Sequence, residues 1–444
     1  MLTPSSTPAF LPHFLRLSGL NILSNLLVPL AGLVDTAFLG HLDQLSHLAG
    51  VTLATVLFNY LYWTFGFLRM ATTGLTAQAL GRQDPVGLVV ILWRHAGLAF
   101  VIGLTLVGLQ VPLGNLGFAL LQGTPAVLAS GQAYYHALIW GAPATLINFV
   151  LLGWWLGQGQ GRMVLLLSLL LNGCNIALDA LFIGQWGWAS AGAGLATAAS
   201  QYIALAVGIL AIQRQNLPRL SSSLRRAIFN VQEMGAMIAL NRDILIRTFA
   251  LLSVFASFTN LSASFGTIVL STHALLLQVV SFNSFFVDGF AFATESLAGQ
   301  FYSQNDRLSL QKLLTWGLGL GLGSSGTIAL ITIVGCPWIL SVLTNHQSIL
   351  DRSGDFVLWL FPVLTMGSIA YLFDGYFLGL TQGRILRQSS LLSALVGFAP
   401  FALWANDRQN PHLLWLALTS FMVVRSLTLG LNLRKFYPCS KTIG

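Results

Sequence analysis

Long apolar stretches alternate with short polar hinges twelve times along the chain. They cover approximately 14–39, 48–79, 87–110, 127–156, 162–184, 189–212, 244–268, 271–300, 312–340, 355–379, 384–404 and 412–433. A helix needs about 20 apolar residues to cross the hydrocarbon core, and each stretch meets that length. Several exceed it, so tilt, kinks or ends reaching into water are expected. From His95 to Gly161 the chain passes without an Asp, Glu, Lys or Arg, and it does so again from Thr248 to Val287. Neither run fits a single element of a soluble core, and each suits about two crossings. The pattern predicts an all-α polytopic membrane protein with twelve transmembrane helices.

Composition agrees. Charged residues make up 8% and hydrophobic residues 55%, against roughly 25% charged in soluble domains. A soluble enzyme, a disulfide scaffold and a disordered chain are thereby excluded. The three cysteines, Cys174, Cys336 and Cys439, are odd in number and far apart, so they form no disulfide or zinc framework. The stretch before the first span lacks the layout of a cleavable signal, and the first helix is expected to remain in the mature protein.

The net charge of +8 is a matter of topology. With the N-terminus placed in the cytoplasm, inner segments hold 17 of the 21 Lys and Arg, among them Arg82, Arg94, Arg162, Arg214, Arg219, Arg242, Arg247 and Lys441. Outer segments hold two, Arg352 and Arg408, and Arg69 and Arg425 fall inside spans. This asymmetry places both termini in the cytoplasm of a multi-pass inner (plasma) membrane protein. It accounts for the charge without a nucleic-acid partner.

The two halves resemble each other at one constant offset. Gly81-Arg-Gln-Asp84 matches Ser303-Gln-Asn-Asp306, and Gly157-Gln-Gly-Gln-Gly-Arg162 matches Gly379-Leu-Thr-Gln-Gly-Arg384. The expected organisation is an N-lobe over 1–213 with helices one to six, a basic cytoplasmic linker over 214–243, and a C-lobe over 244–444 with helices seven to twelve. Two six-helix bundles related by a pseudo-twofold along the membrane normal suit alternating access.

An ionisable residue at membrane depth is costly unless it faces a cavity or a partner, which makes it a functional candidate. Asp35, Asp179, Asp288, Glu295 and Asp374 qualify. On helix one, Asn21, Asn25, Gly32 and Asp35 share a face at helical spacing. On helix five, Asn172, Asn175 and Asp179 do the same, and helix six offers Thr197 and Gln201. Two carboxyls with amide and hydroxyl oxygens make hard ligands for Na⁺, and burial beside a second carboxyl equally favours holding a proton. The plain alternative is a structural polar cluster between helices. Helix eight carries Ser284, Asp288 and Glu295 on one face and helix ten carries Asp374. These acids, with Asn25 and Asn148, either line a cavity for a cationic solute or form buried structural pairs, with Arg69 or Arg425 as the available cations.

Other signals carry no chemistry. Gly317, Gly319, Gly321 and Gly323 follow no strand and read as close helix packing. No Walker A or HExxH motif is present, no catalytic constellation appears, and no cofactor is called for. Energy for transport would come from an ion gradient or a separate subunit.

Val28-Pro-Leu-Ala-Gly-Leu-Val-Asp-Thr-Ala37 with Gly40-His-Leu-Asp43 resembles the first helix of multidrug and toxic compound extrusion (MATE) transporters, in their DinF-type branch. Phe67-Leu-Arg-Met-Ala-Thr-Thr-Gly-Leu-Thr-Ala-Gln-Ala79 resembles the second helix. Leu151-Leu-Gly-Trp154, Asn175-Ile-Ala-Leu-Asp179, Gly194-Leu-Ala-Thr197 and Asp288-Gly-Phe-Ala-Phe-Ala-Thr-Glu295 are similar too. The resemblance implies two six-helix lobes in a V that expel organic cations and amphipathic drugs in exchange for H⁺ or Na⁺, working as a monomer. It implies an N-lobe ion site, for H⁺ or Na⁺, at Asp35, Asn175, Asp179 and Thr197. One position departs: the family usually has proline early in helix one, where this chain has Leu20. That removes a backbone defect that makes bending cheap. A flippase for an amphipathic or lipid-linked metabolite is the rival reading on the same fold, and a channel is a more distant one.

Overall fold

A computed structural model describes residues 8–436 apart from 216, 219–221, 343 and 345, and the side chains of 223 and 337. Cys439, Arg219, Ser221 and Lys441 therefore lie outside the described residues, as do the ends of both expected lobes. Cys174 and Cys336 are free thiols.

Twelve described helices are long and apolar enough to cross a membrane: α1 Leu11–Gly40, α2 Leu45–Gly81, α3 Pro85–Gly108, α4 Pro125–Gly157, α5 Gly161–Gln185, α6 Ala189–Gln213, α7 Val231–Ser264, α8 Thr267–Ser303, α9 Arg307–Val334, α10 Gln347–Gly379, α11 Gly383–Arg408 and α12 Pro411–Leu433. The protein is all-helical and multi-pass. Helix starts at 45, 85, 125, 161 and 189 recur at 267, 307, 347, 383 and 411, a constant shift. The loops repeat at the same shift. Gln83 and its counterpart Asn305 both take the left-handed backbone, and so do Gly159 and its counterpart Thr381. After the first pair, Asp84 caps α3 by accepting the Gly87 N–H at 2.8 Å, and Asp306 caps α9 by accepting that of Ser309 at 3.0 Å.

The described residues form two compact units, one over 23–238 and the other over 8–22 with 239–436. Each is built around its most enclosed long helix, α4 in the first and α10 in the second. Lipid tails are as apolar as leucine, so close backbone approach rather than the hydrophobic effect holds such helices together. Gly157 supplies it on α4, where an added Cβ would lie 2.5 Å from the Thr73 carbonyl on α2. Gly379, the same position one repeat later, presses α10 on the Glu295 carbonyl of α8. The α4 indole of Trp154 donates to the Leu88 carbonyl on α3 at 2.9 Å.

Irregular turns interrupt several spans. α2 breaks at Phe65–Gly66. α4 and α10 tighten to 3₁₀ at Ile139–Gly141 and Val357–Trp359. α5 and α11 widen to π turns at Ala180–Gln185 and Ser393–Phe398.

The observed limits fall within a few residues of the expected spans except at three places, one of them the start of α10 at Gln347 rather than near 355. α7 begins at Val231 rather than near 244, because Glu233, Arg242 and Asp243 depress hydropathy without breaking a helix. α9 ends at Val334 rather than near 340, and Cys336–Ser341 forms a separate short helix after Gly335. The linker region also contains a short helix, Ser222–Ile228. Leu224 packs on Val89 and Val90 of α3, and Arg94 binds the carbonyls of Ala227 and Ile228 and the Glu233 carboxylate, the last at 2.5 Å.

Candidate functional site

Within the unit of residues 23–238, α1, α4, α5 and α6 deliver polar side chains to one point. Asp35 comes from the last turns of α1, beyond Pro29. Its carboxyl lies beside that of Asp179 on α5. Asp179 is completely buried and stands at the last α-helical position before the π turn. Two ionised carboxylates side by side repel each other, and a proton or a cation between them relieves that repulsion. One turn back, the Asn175 amide donates to Asp179 Oδ2 at 3.1 Å and to Thr197 Oγ1 on α6 at 3.3 Å. Thr197 in turn donates to its own helix at the Ala193 carbonyl, 3.0 Å away. No described Lys, Arg or His forms an ion pair with either acid. The site thus holds two acidic groups, an amide and a hydroxyl oxygen.

Tyr134 on α4 completes this cluster and was not among the residues singled out from sequence. Its hydroxyl interacts with Thr197 and with Thr55 on α2, within electrostatic reach of both carboxyls. A tyrosine in an apolar span looks like any other aromatic wall residue, and only the partners of its hydroxyl distinguish it. Nearby helices use polar groups for packing. Asn148 of α4 donates to the backbone and side-chain oxygens of Gln201 on α6, each at 2.9 Å, and Ser24 of α1 donates to Ser168 of α5 at 3.1 Å. Asn25 is half-buried and Gly32 is exposed.

The unit containing residues 239–436 holds a different cluster. Asp374 of α10 is buried, and its Oδ2 accepts from Arg247 on α7 and from Arg425 on α12. Sequence left Arg69 and Arg425 open as partners for the membrane acids. The structure pairs Asp374 with Arg425 and adds Arg247, counted above with the cytoplasmic basic residues. Arg247 is a buried member of the cluster instead, because α7 is already helical from Val231 and carries it inward. Tyr371, one turn before Asp374, lies within electrostatic range of both arginines and of Asp288 on α8. Glu295 is fully buried on α8, where Gly379 crosses it. Near the basic end of the same unit, Asp243 pairs with Arg387 at 2.5 Å. Among the described residues no group of three His, Cys, Asp or Glu side chains is placed to hold a metal.

Comparisons with known proteins bear on both halves. The MatE family profile matches residues 21–181 and again 244–403. The chain is similar to DNA damage-inducible protein F of Escherichia coli K12, at 34% identity over 94% of this chain and 90% of that one. Among solved structures it is similar to a MOP superfamily transporter from Pyrococcus furiosus, whose binding pocket is described as reversed in polarity. That match has a TM-score of 0.86 at 18% identity, covering 96% of this chain and 95% of the other. It is also similar to a multidrug resistance MATE family transporter in an outward-facing conformation, with a TM-score of 0.84, 18% identity and coverage of 97% and 96%. A family match over both repeats, a relative covered nearly end to end and a twelve-helix fold shared with solved transporters agree: the chain belongs to the MATE family of membrane transporters and is not an enzyme.

Proposed function

We propose that the chain is a secondary active efflux transporter that exchanges H⁺ or Na⁺ for amphipathic drugs, organic cations among them, by alternating access. Membership in a family with multidrug resistance relatives supports the cargo class. The single observation that carries the coupling is the contact between the Asp35 and Asp179 carboxyls without a described basic partner. Such a pair exchanges its charge for a bound cation at little cost, because binding a proton or Na⁺ relieves the repulsion that the second carboxylate creates. Asn175 directs its NH₂ at Asp179 and Thr197 and so holds the carboxyl and the hydroxyl together at the site. Tyr134 orients the same hydroxyl from α4.

In this reading ion and drug bind alternately, and each weakens the other by the same factor. Both termini face the cytoplasm, by the distribution of Lys and Arg, and a single chain contains the whole site. The test is exchange of a fluorescent cation in proteoliposomes under separately imposed H⁺ and Na⁺ gradients. Asp35→Asn and Asp179→Asn should each lower gradient-driven exchange by at least about a hundredfold, ~2.7 kcal/mol of barrier. Wild-type rates from both variants would refute the mechanism.

A further inference from the structure

The coupling site leaves the second charged cluster unused, and its donors and acceptors do not balance. Arg247, Asp374 and Arg425 come from three different helices and are 7%, 3% and 0% exposed. Both guanidiniums bind the same carboxylate oxygen. Arg425 Nε and Nη1, Arg247 Nε and Asp374 Oδ1 all lack a partner among the described residues. A guanidinium has five N–H donors and a carboxylate about four lone-pair positions, so two guanidiniums outnumber one carboxylate under any re-pairing. At the contact itself two cations meet one anion, and Asp288 on α8 is the next acid in range of Tyr371. A structural staple between α10 and α12 would need only one arginine.

The surroundings supply the other half of a binding site. The Arg425 guanidinium lies 5.9 Å from the centre of the Phe421 ring. Tyr371 lies within electrostatic range of both arginines. An aromatic ring beside a forked donor suits a molecule with one anionic end and a hydrophobic body.

We propose that Arg247 and Arg425 form a binding site for the carboxylate of an amphipathic anion. Asp374 fills the fork when no ligand is present and yields one guanidinium to the incoming carboxylate, which takes it bidentately. The inference rests on the transport reading only in treating the bound anion as cargo, which widens the cargo class from organic cations to amphipathic carboxylates.

The experiment uses the full chain in phosphatidylcholine nanodiscs, with pyrenebutyrate as probe and energy transfer from the chain's 12 tryptophans as signal. The methyl ester and a pyrenebutyl-trimethylammonium cation serve as matched controls. Pyrenebutyrate should bind about tenfold more tightly than its ester, and Arg425→Lys should remove most of that preference while leaving cation binding unchanged. Asp374→Asn takes away the internal competitor and should tighten pyrenebutyrate binding several-fold, a gain that a merely structural cluster would not give. Equal binding of acid and ester, or weaker or unchanged acid binding in Asp374→Asn, overturns the site. If cation exchange follows an ion gradient while acid and ester bind alike, only the anion site falls. If the acid binds selectively while no probe moves under either gradient, the transport reading falls and the anion site stands.

Discussion

The acidic pair of one unit and the basic pair of the other are opposite solutions to placing charge inside a membrane. Asp35 and Asp179 lie side by side without a described base, where a shared proton or cation would relieve their repulsion. Arg247 and Arg425 share Asp374, so the cluster is held mainly by its own ions. The repeat does not relate them. One repeat after Asp35 and Asp179 stand Ser257 and Phe401, and one repeat before Arg247, Asp374 and Arg425 stand Asn25, Leu152 and Ile203. Backbone spacing has been kept to the residue across five helices, whereas the chemistry in each unit has been placed independently. Duplication here supplied a scaffold and left the sites to diverge.

Stability measurements should separate the clusters most sharply. Arg425→Leu removes one of the two guanidiniums on Asp374, leaves Arg247 paired with it, and should cost about 1.5–3 kcal/mol, the worth of a hydrogen bond to a charged group. Asp179→Asn removes one of two repelling acids and should leave the melting temperature unchanged or raise it, as substitutions at functional sites often do. Equal losses in the two variants would mean that both clusters are structural.

The shared scaffold should respond alike in both halves. Gly157→Val and Gly379→Val each push a side chain into the backbone of the facing helix, and each should cost about 1–3 kcal/mol from overpacking. A loss in only one, measured by thermal unfolding in detergent, would show that the α2–α4 and α8–α10 crossings are not energetically equivalent.

The caps give the smallest and most symmetric effect. Asp84→Ala and Asp306→Ala should each destabilise by about 1 kcal/mol. The Asp306 carboxyl is held below its ordinary value of 3.8, chiefly by the Ser309 hydroxyl and backbone N–H. Its contribution is therefore complete above that value and is lost as pH falls through the lower folded-state value. The difference in unfolding midpoint between wild type and Asp306→Ala should be constant at neutral pH and shrink below about pH 4.

Much of this was legible because the bilayer imposes a simple rule on sequence. Spans need length and apolarity, and the twelve helices carry both. The repeat could be seen in two loop motifs because tight turns constrain composition. Asp35, Asn175, Asp179 and Thr197 stood out because each is costly or polar at membrane depth. Three things were hidden. Glu233, Arg242 and Asp243 masked the early start of α7, since hydropathy measures solubility rather than helicity. Arg247 looked like a cytoplasmic cation because it follows those charges, and only the register of α7 turns it inward. Tyr134 was invisible because an aromatic ring is equally at home against lipid, and nothing local reports where its hydroxyl points.

The wide turn after Asp179 has a mechanical consequence. A π turn holds one residue more than the hydrogen-bonding pattern of an ordinary turn requires, and here the Trp186 amide reaches back to the Leu181 carbonyl. That extra residue can be passed along the helix like a dislocation in a crystal. The C-terminal end of α5 can swivel about its axis without losing its ladder of bonds, with the pivot directly beside the Asp179 carboxyl.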